Sequence, residues 1–439
     1  MGVLKMTVAF LTLGCKVNHY ETEVMAQAFE KAGDRVVSFD ETADVYVVNT
    51  CTVTATGDKK SRQALRAAKR KNPAATVVAV GCYAQMAAQQ LDAMPEIDLV
   101  LGNLHKPELP ALLRRHLAGE PPAPIDDIGL VHEFEPMAAV RSDRTRAIIK
   151  IQDGCNNFCS YCIIPYARGR IRSKPPQDVL REFETLLAEG YREIVLTGIE
   201  IASYGDGKGE NFTLLELLEM LCAAIPKLGG MRLRLGSLEP RIVTEPFAAF
   251  LAAHPVICPQ FHLSLQSGCD EVLARMNRKY NTARYTQSVE LLRRYLPNVM
   301  LTTDIVVGFP GETKEQFLQT VDYVTGIRFL KVHAFPYSPR KGTPAATMPN
   351  QIPGPEKAAR VKALCAASDV VRADILAAQV GMRYLMLAEE RKEGVYSGYT
   401  ENYLPVRLPA PEGLSGELLP IVVTGVKEEL LTASLDCLL

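Results

Sequence analysis

Short apolar runs alternate with amphipathic stretches through most of the chain. Residues 8–13, 45–48 and 77–80 are dominated by apolar, largely β-branched side chains, the pattern of strands buried on both faces. Between them, residues 21–31, 58–71 and 85–94 carry good helix formers at helical spacing. This alternation predicts a parallel sheet with crossover helices. Glu120-Pro121-Pro122-Ala123-Pro124 breaks the pattern, and residues 125–143 read as an irregular linker. The alternation restarts at Arg146, with strands expected at 147–152, 193–197, 231–235, 260–265, 300–306 and 330–335. Helices are expected at 177–189, 212–224, 271–277, 282–296 and 314–325. Six β/α units predict an incomplete barrel whose working face is the C-terminal end of its strands. A proline-rich loop and a helix at 356–378 follow, and then short strands separated by glycines, which predict a small β-barrel. The expected class is α/β. Its parts are an N-terminal parallel-sheet domain (1–118), a linker (119–143), a central partial (β/α)6 barrel (144–371) and a small C-terminal β-barrel (372–439).

Charge narrows the function classes. The 439 residues hold 49 Lys+Arg against 50 Asp+Glu, which argues against a wholly basic nucleic-acid binder but leaves room for local basic patches. No run of about 18 apolar residues is present, so no membrane-spanning helix is expected. The first residues lack an apolar leader and a cleavage site, and they read as a first strand of a cytoplasmic protein. Such a protein keeps its cysteines reduced unless they bind metal or do chemistry, and this chain has eleven of them.

Three of the cysteines sit in Gly154-Cys155-Asn156-Asn157-Phe158-Cys159-Ser160-Tyr161-Cys162, directly after a predicted strand. Thiols at i, i+4 and i+7 can converge on one metal centre. Thiolates are the natural ligands of iron–sulfur clusters, and three of them leave one iron of a [4Fe–4S] cluster open to a small molecule. The competing reading is a structural zinc or packing cysteines, although zinc wants a fourth ligand that the sequence does not offer nearby. Cys15, Cys51 and Cys82 share a second design, in which a buried parallel strand ends and a cysteine follows at once. Ligands of open α/β sheets sit in the crevice beyond the strand ends. Three cysteines delivered there are therefore candidates for a second cluster, against the reading that cysteine is simply a common buried residue.

The first run matches the C-x3-C-x-Φ-C signature of the radical S-adenosylmethionine (SAM) superfamily, with Tyr161 as the aromatic residue. Leu13-Gly14-Cys15-Lys16-Val17-Asn18, Asn49-Thr50-Cys51 and Gly81-Cys82-Tyr83 resemble the N-terminal domain of radical SAM methylthiotransferases. Gly398-Tyr399-Thr400-Glu401-Asn402-Tyr403-Leu404-Pro405-Val406 resembles a segment of the RNA-binding TRAM barrel. The resemblance implies two [4Fe–4S] clusters, one on Cys155, Cys159 and Cys162 and an auxiliary one on Cys15, Cys51 and Cys82. It further implies that SAM is cleaved at the first cluster to a 5′-deoxyadenosyl radical, which abstracts the C2 hydrogen of an adenine. A methylthio group from the auxiliary cluster then replaces that hydrogen. For SAM contacts it implies Tyr161, Thr197, Gly198, Glu200, Ser264, Gln266, Gly308 and Gly311.

Within the family, residues 12–22 and 159–170 resemble the branch acting on N6-threonylcarbamoyladenosine at position 37 of tRNA. The alternatives are the branch acting on N6-isopentenyladenosine-37 and the one acting on a ribosomal-protein aspartate. The implied partners are the tRNA anticodon stem-loop and an electron donor such as a flavodoxin or ferredoxin, with no membrane. Three basic clusters are candidates for phosphate contact. They are the helix residues Lys59, Lys60, Arg62, Arg66, Lys69, Arg70 and Lys71; the linker residues Arg141, Arg144 and Arg146; and Arg168, Arg170, Arg172 and Lys174 beside the first cysteine run. The last group, with Tyr403, is the preferred RNA-binding set. Cys222, Cys258, Cys269, Cys365 and Cys437 read as core or free thiols, and His19, His262 and His333 as structural.

Overall fold

The computed structural model describes residues 5–122, 124–139, 141, 144–225 and 230–436. The N-terminal sheet has five parallel strands in the spatial order Arg35–Val37, Thr7–Thr12, Val45–Thr50, Thr76–Gly81 and Leu99–Val100. Val45–Thr50 lies between two neighbours and is buried at every position, which explains why its sequence shows no alternation. Helices Lys16–Lys31 and Ala55–Lys71 leave directly from the ends of the first two cysteine-bearing strands. The first helix starts five residues before the sequence suggested. Cys15, in extended conformation, takes its N-cap position, and no side chain caps the helix. The expected helix at 85–94 is two short helices, Cys82–Met86 and Ala88–Asp92, broken at Ala87 (φ −132°, ψ 33°).

The central region is a half-barrel of six strands, all parallel within two three-stranded sheets. Ala147–Lys150, Glu193–Thr197 and Arg232–Leu235 form one sheet, and Gln260–His262, Met300–Val307 and Lys331–Pro336 the other. Bridges between Leu233 and Ile257 and between Leu238 and Leu263 join them. Ile149, Leu196, Leu233, Phe261, Leu263 and Ile305 fill the core beneath the strand ends. Helix Gly354–Ala377 packs on the last barrel strand and runs unbroken through residues 371 and 372 into the final region. That region is a closed five-stranded barrel.

Buried charge fastens this small barrel to the half-barrel. Glu193 accepts from Arg232 Nε (2.6 Å) and Arg234 Nε (2.7 Å). The same two guanidiniums donate to the carbonyls of Leu385, Tyr399, Thr400 and Glu401 on the small barrel. Tyr403 stacks on Tyr399 at 4.5 Å between centroids, with Arg234 4.7 Å above its ring.

Candidate active site

Strand order brings the second cysteine set together. The strands ending before Cys15, Cys51 and Cys82 are immediate neighbours in parallel register, so the three thiols emerge at one edge of the sheet. Cys82 is buried, Cys51 half-buried and Cys15 exposed. The turns are held by close contact. A Cβ on Gly14 (φ +104°) would stand 3.0 Å from Cys51 Sγ, and one on Gly81 (φ +94°) 2.4 Å from Asn49 Oδ1. Asn18 ties two strand ends by donating to the carbonyls of Leu13 (2.7 Å) and Thr50 (3.0 Å). Asn103 donates its amide to Cys82 Sγ at 3.6 Å.

The other run leaves its strand through Gly154 (φ +73°), where a Cβ would lie 1.8 Å from the Arg170 carbonyl oxygen. Glycine is therefore required for the loop to fold back on residues 169–170. Cys155 N–H donates to Gly169 O (3.1 Å), and Cys162 N–H donates to Cys159 O (2.9 Å). Arg278 Nη1 donates to Cys159 Sγ (3.3 Å). The three thiols line one cavity of about 330 Å³ at the barrel mouth, together with Tyr161, Glu200, Ser264, Gln266 and Asp304. Part of its wall is formed by Val53 and Thr54, the residues just after Cys51, so the loop that leaves Cys51 reaches this space. Arg340 holds that wall in place by donating to Thr52 (2.7 Å) and Asp58 (2.6 Å).

Electrostatics set the character of both sites. Burial pushes the Cys155 and Cys162 thiols up to about 12 and the Cys51 thiol up to about 11. Such groups become thiolates only when a metal takes the place of the proton. Burial likewise raises the Glu200 carboxyl to about 7. Beside Cys82 lies a fully enclosed charge network. Glu21 accepts from Lys150 (2.7 Å), Arg168 (2.8 Å) and Lys106, and Asp153 accepts from Arg168 (3.1 Å) and pairs with Lys150 (2.6 Å). Burial alone would raise the Glu21 carboxyl, but Arg168, Lys106 and Lys150 outweigh it and hold it well below the usual range.

With Arg172, also beside Asp153, four cations meet two carboxylates, and the charge of Arg168 bears on Cys15, Cys51 and Cys82. Arg168 Nε and Arg172 Nη1 are buried without a hydrogen-bond partner. Surplus positive charge and orphaned donors beside three thiols suit an anionic metal–sulfur group. Among the described residues no three His, Cys, Asp or Glu side chains converge closely enough to hold a single ion.

Several sequence expectations are corrected here. Arg168, Arg172 and Lys174 are buried and ion-paired with Glu21, Asp153 and Glu182, so they face no phosphate. Arg170 lies over the Phe158 ring at 4.6 Å. Tyr403 spends its ring on docking the small barrel, although it also lines a junction cleft with Lys16, Arg144 and Arg391. Thr197, Gly198, Gly308 and Gly311 do not line the cavity. Gly198 makes room for Gln152, 2.9 Å from where its Cβ would be. Gly308 and Gly311 shape a turn fixed by Glu312, whose carboxylate accepts from Gly308 N–H (2.6 Å). Cys222, Cys258, Cys269 and Cys365 are free thiols outside both sites, and Cys437 lies outside the described residues.

Sequence reading missed Glu21, Asn103, Lys106, Lys150 and Arg278. Lys150 carried a signal, since a lysine inside the apolar run 147–151 has to find a buried partner. Arg278 carried none.

Residues 149–324 match the radical SAM superfamily, and residues 7–102 match the uncharacterized protein family UPF0004. The fold also resembles that of the radical S-adenosylmethionine methyltransferase TsrM from Kitasatospora setae. The TM-score is 0.57 at 19% identity, over 78% of this chain and 77% of that one, a likeness of fold. A radical SAM barrel joined to a second cysteine-bearing domain is thus the class that fold and site define. The chain is 40% identical to the threonylcarbamoyladenosine tRNA methylthiotransferase MtaB of Bacillus subtilis (strain 168), over 95% of this chain and 93% of that protein. It is 35% identical to the tRNA-2-methylthio-N(6)-dimethylallyladenosine synthase of Carboxydothermus hydrogenoformans, over 94% and 96% respectively. The chain belongs to the tRNA methylthiotransferase family of radical SAM proteins.

Proposed function

We infer that this protein methylthiolates C2 of N6-threonylcarbamoyladenosine at position 37 of tRNA. The observation that carries the chemistry is the cavity lined by Cys155, Cys159 and Cys162 together with Val53 and Thr54, the residues just after Cys51. Relatives acting on threonylcarbamoyladenosine, at 40%, 38% and 37% identity over nine-tenths of the chain, support this branch. In this reading Cys155, Cys159 and Cys162 hold a [4Fe–4S] cluster and Cys15, Cys51 and Cys82 hold a second. Bound there, SAM and the clusters supply the radical needed to break a strong, non-acidic C–H bond, which side-chain acids and bases cannot activate.

The protein's own residues arrange the space around that event. Glu200, Ser264, Gln266 and Asp304 offer polar groups to SAM, and Tyr161, set against Phe309, closes one side. Arg278 and Asn103 donate to cluster thiolates, and the Arg168 network balances the auxiliary site's negative charge. For RNA, exposed Lys59 and Lys60 on the first turns of the helix after Cys51 lie beside the cavity wall. The junction cleft of Lys16, Arg144, Arg391 and Tyr403 adds a second basic surface. Both take over the role first given to Arg168–Lys174. Position 37 lies in a loop, where a base can be splayed into a pocket. An electron donor protein and a cytoplasmic setting complete the reading. Among the described residues no helix is long and apolar enough to cross a membrane.

Mass analysis of tRNA nucleosides from a deletion strain tests the assignment. The methylthio form of threonylcarbamoyladenosine should vanish while its unmodified parent accumulates. Loss of the isopentenyl counterpart instead would move the protein to the other tRNA branch.

A further inference from the structure

The short segment before Lys279 clamps the first cysteine loop from outside. Ser160 N–H donates to Met276 O (3.0 Å) and its hydroxyl to Arg275 O (2.8 Å). Asn277 donates to Phe158 O (3.0 Å), and Arg278 to Cys159 Sγ (3.3 Å). Arg278 is the one cationic side chain among the described residues lining the inner cavity. It also lines an outer cleft of about 590 Å³ with Arg241, Lys279, Arg284 and Asp270. That cleft therefore lies one side chain away from Cys159. Four cations to one carboxylate is a local departure from a chain whose formal charge is −1. Arg241 is shared with Glu239 at 2.9 Å. Lys279 and Arg284 have no carboxylate partner among the described residues, since Lys279 donates to Asn277 and Arg284 to Ser288 and two carbonyls.

We propose that this cleft is the docking surface for an acidic one-electron donor protein, which reduces the cluster through the Arg278–Cys159 edge. The proposal rests on the reading of Cys155, Cys159 and Cys162 as cluster ligands. Electron transfer weakens steeply with distance, so the donor must reach the surface nearest the acceptor. Redox encounters use small interfaces and rely on charge for steering, which this cleft supplies. An RNA would instead be expected to bridge domains, yet every residue of this cleft belongs to the half-barrel. In the transfer, one electron leaves the donor's reduced cofactor and enters the enzyme's cluster, and no bond is made or broken.

The test uses cluster-loaded enzyme, the double variant K279E/R284E and the milder K279Q. Binding of oxidised flavodoxin, an acidic donor protein, is titrated at low salt. Reduction of the cluster, read by bleaching of its visible absorbance, is compared between reduced flavodoxin and dithionite, which needs no docking site. K279E/R284E should bind flavodoxin about tenfold or more weakly and be reduced by it correspondingly slowly, as expected when charge steers encounter. K279Q should weaken binding by a smaller factor, and added salt should do the same to the unaltered enzyme. Dithionite bleaching and tRNA affinity should be unchanged in both variants. Unchanged flavodoxin binding in the double variant would overturn the proposal. So would a matching loss of tRNA affinity, which would make the cleft an RNA surface. A chromophore that dithionite cannot bleach in the unaltered enzyme would refute the cluster reading itself, whatever the flavodoxin titration showed.

Discussion

Replacing Glu193 by Gln should loosen the small C-terminal barrel from the half-barrel. Glu193 is fully buried, and it orients Arg232 and Arg234 so that both guanidiniums reach carbonyls on the small barrel. Burial by itself would raise its carboxyl, but Arg234, Arg232 and Arg146 outweigh that effect and bring it from 4.5 to about 2. At about 1.36 kcal/mol per pKa unit, the carboxylate contributes roughly 3 kcal/mol at neutral pH. A group held below its unfolded value contributes fully above that value. Its contribution is lost only as pH falls from about 4.5 toward 2. The stability gap between native protein and E193Q should therefore be flat between about pH 6 and 8. Hydrogen exchange read by mass spectrometry gives the local opening energy. Strands Arg383–Lys392 and Val395–Thr400 should exchange about two orders of magnitude faster in E193Q, with the N-terminal sheet unaffected. Unchanged exchange in those strands would refute the reasoning, as would a gap that widens between pH 6 and 8.

Two further substitutions separate the cysteine sites. Gly154→Ala forces a Cβ to within 1.8 Å of the Arg170 carbonyl at a positive φ, so the loop must shift. Iron analysis after anaerobic reconstitution should find roughly half the normal iron, because only the auxiliary thiols keep their arrangement; full iron content would contradict the geometry. Cys15→Ala should leave SAM cleavage to 5′-deoxyadenosine in place while methylthiolated product disappears in a tRNA assay. Product formed at the native rate would remove Cys15 from the auxiliary site.

The sequence by itself determined the parts list. Runs of β-branched residues set the parallel strands, because a strand buried on both faces must be apolar throughout, and that property is local. Both cysteine sets were legible for a related reason. Cys155, Cys159 and Cys162 lie close along the chain, and Cys15, Cys51 and Cys82 each follow a strand end that the apolar pattern marks. What sequence could not decide was which charges meet. Arg168, Arg172 and Lys174 look like a solvated basic run beside the active centre, yet they are buried against Glu21, Asp153 and Glu182. Glu21 is separated from Arg168 by 147 positions, and Arg232 and Arg234 donate to barrel carbonyls more than 150 positions away. A charged side chain is stable in the interior only beside a partner of opposite sign. Tertiary folding supplies that partner, so it alone decided which basic residues close the interfaces and which stay at the surface.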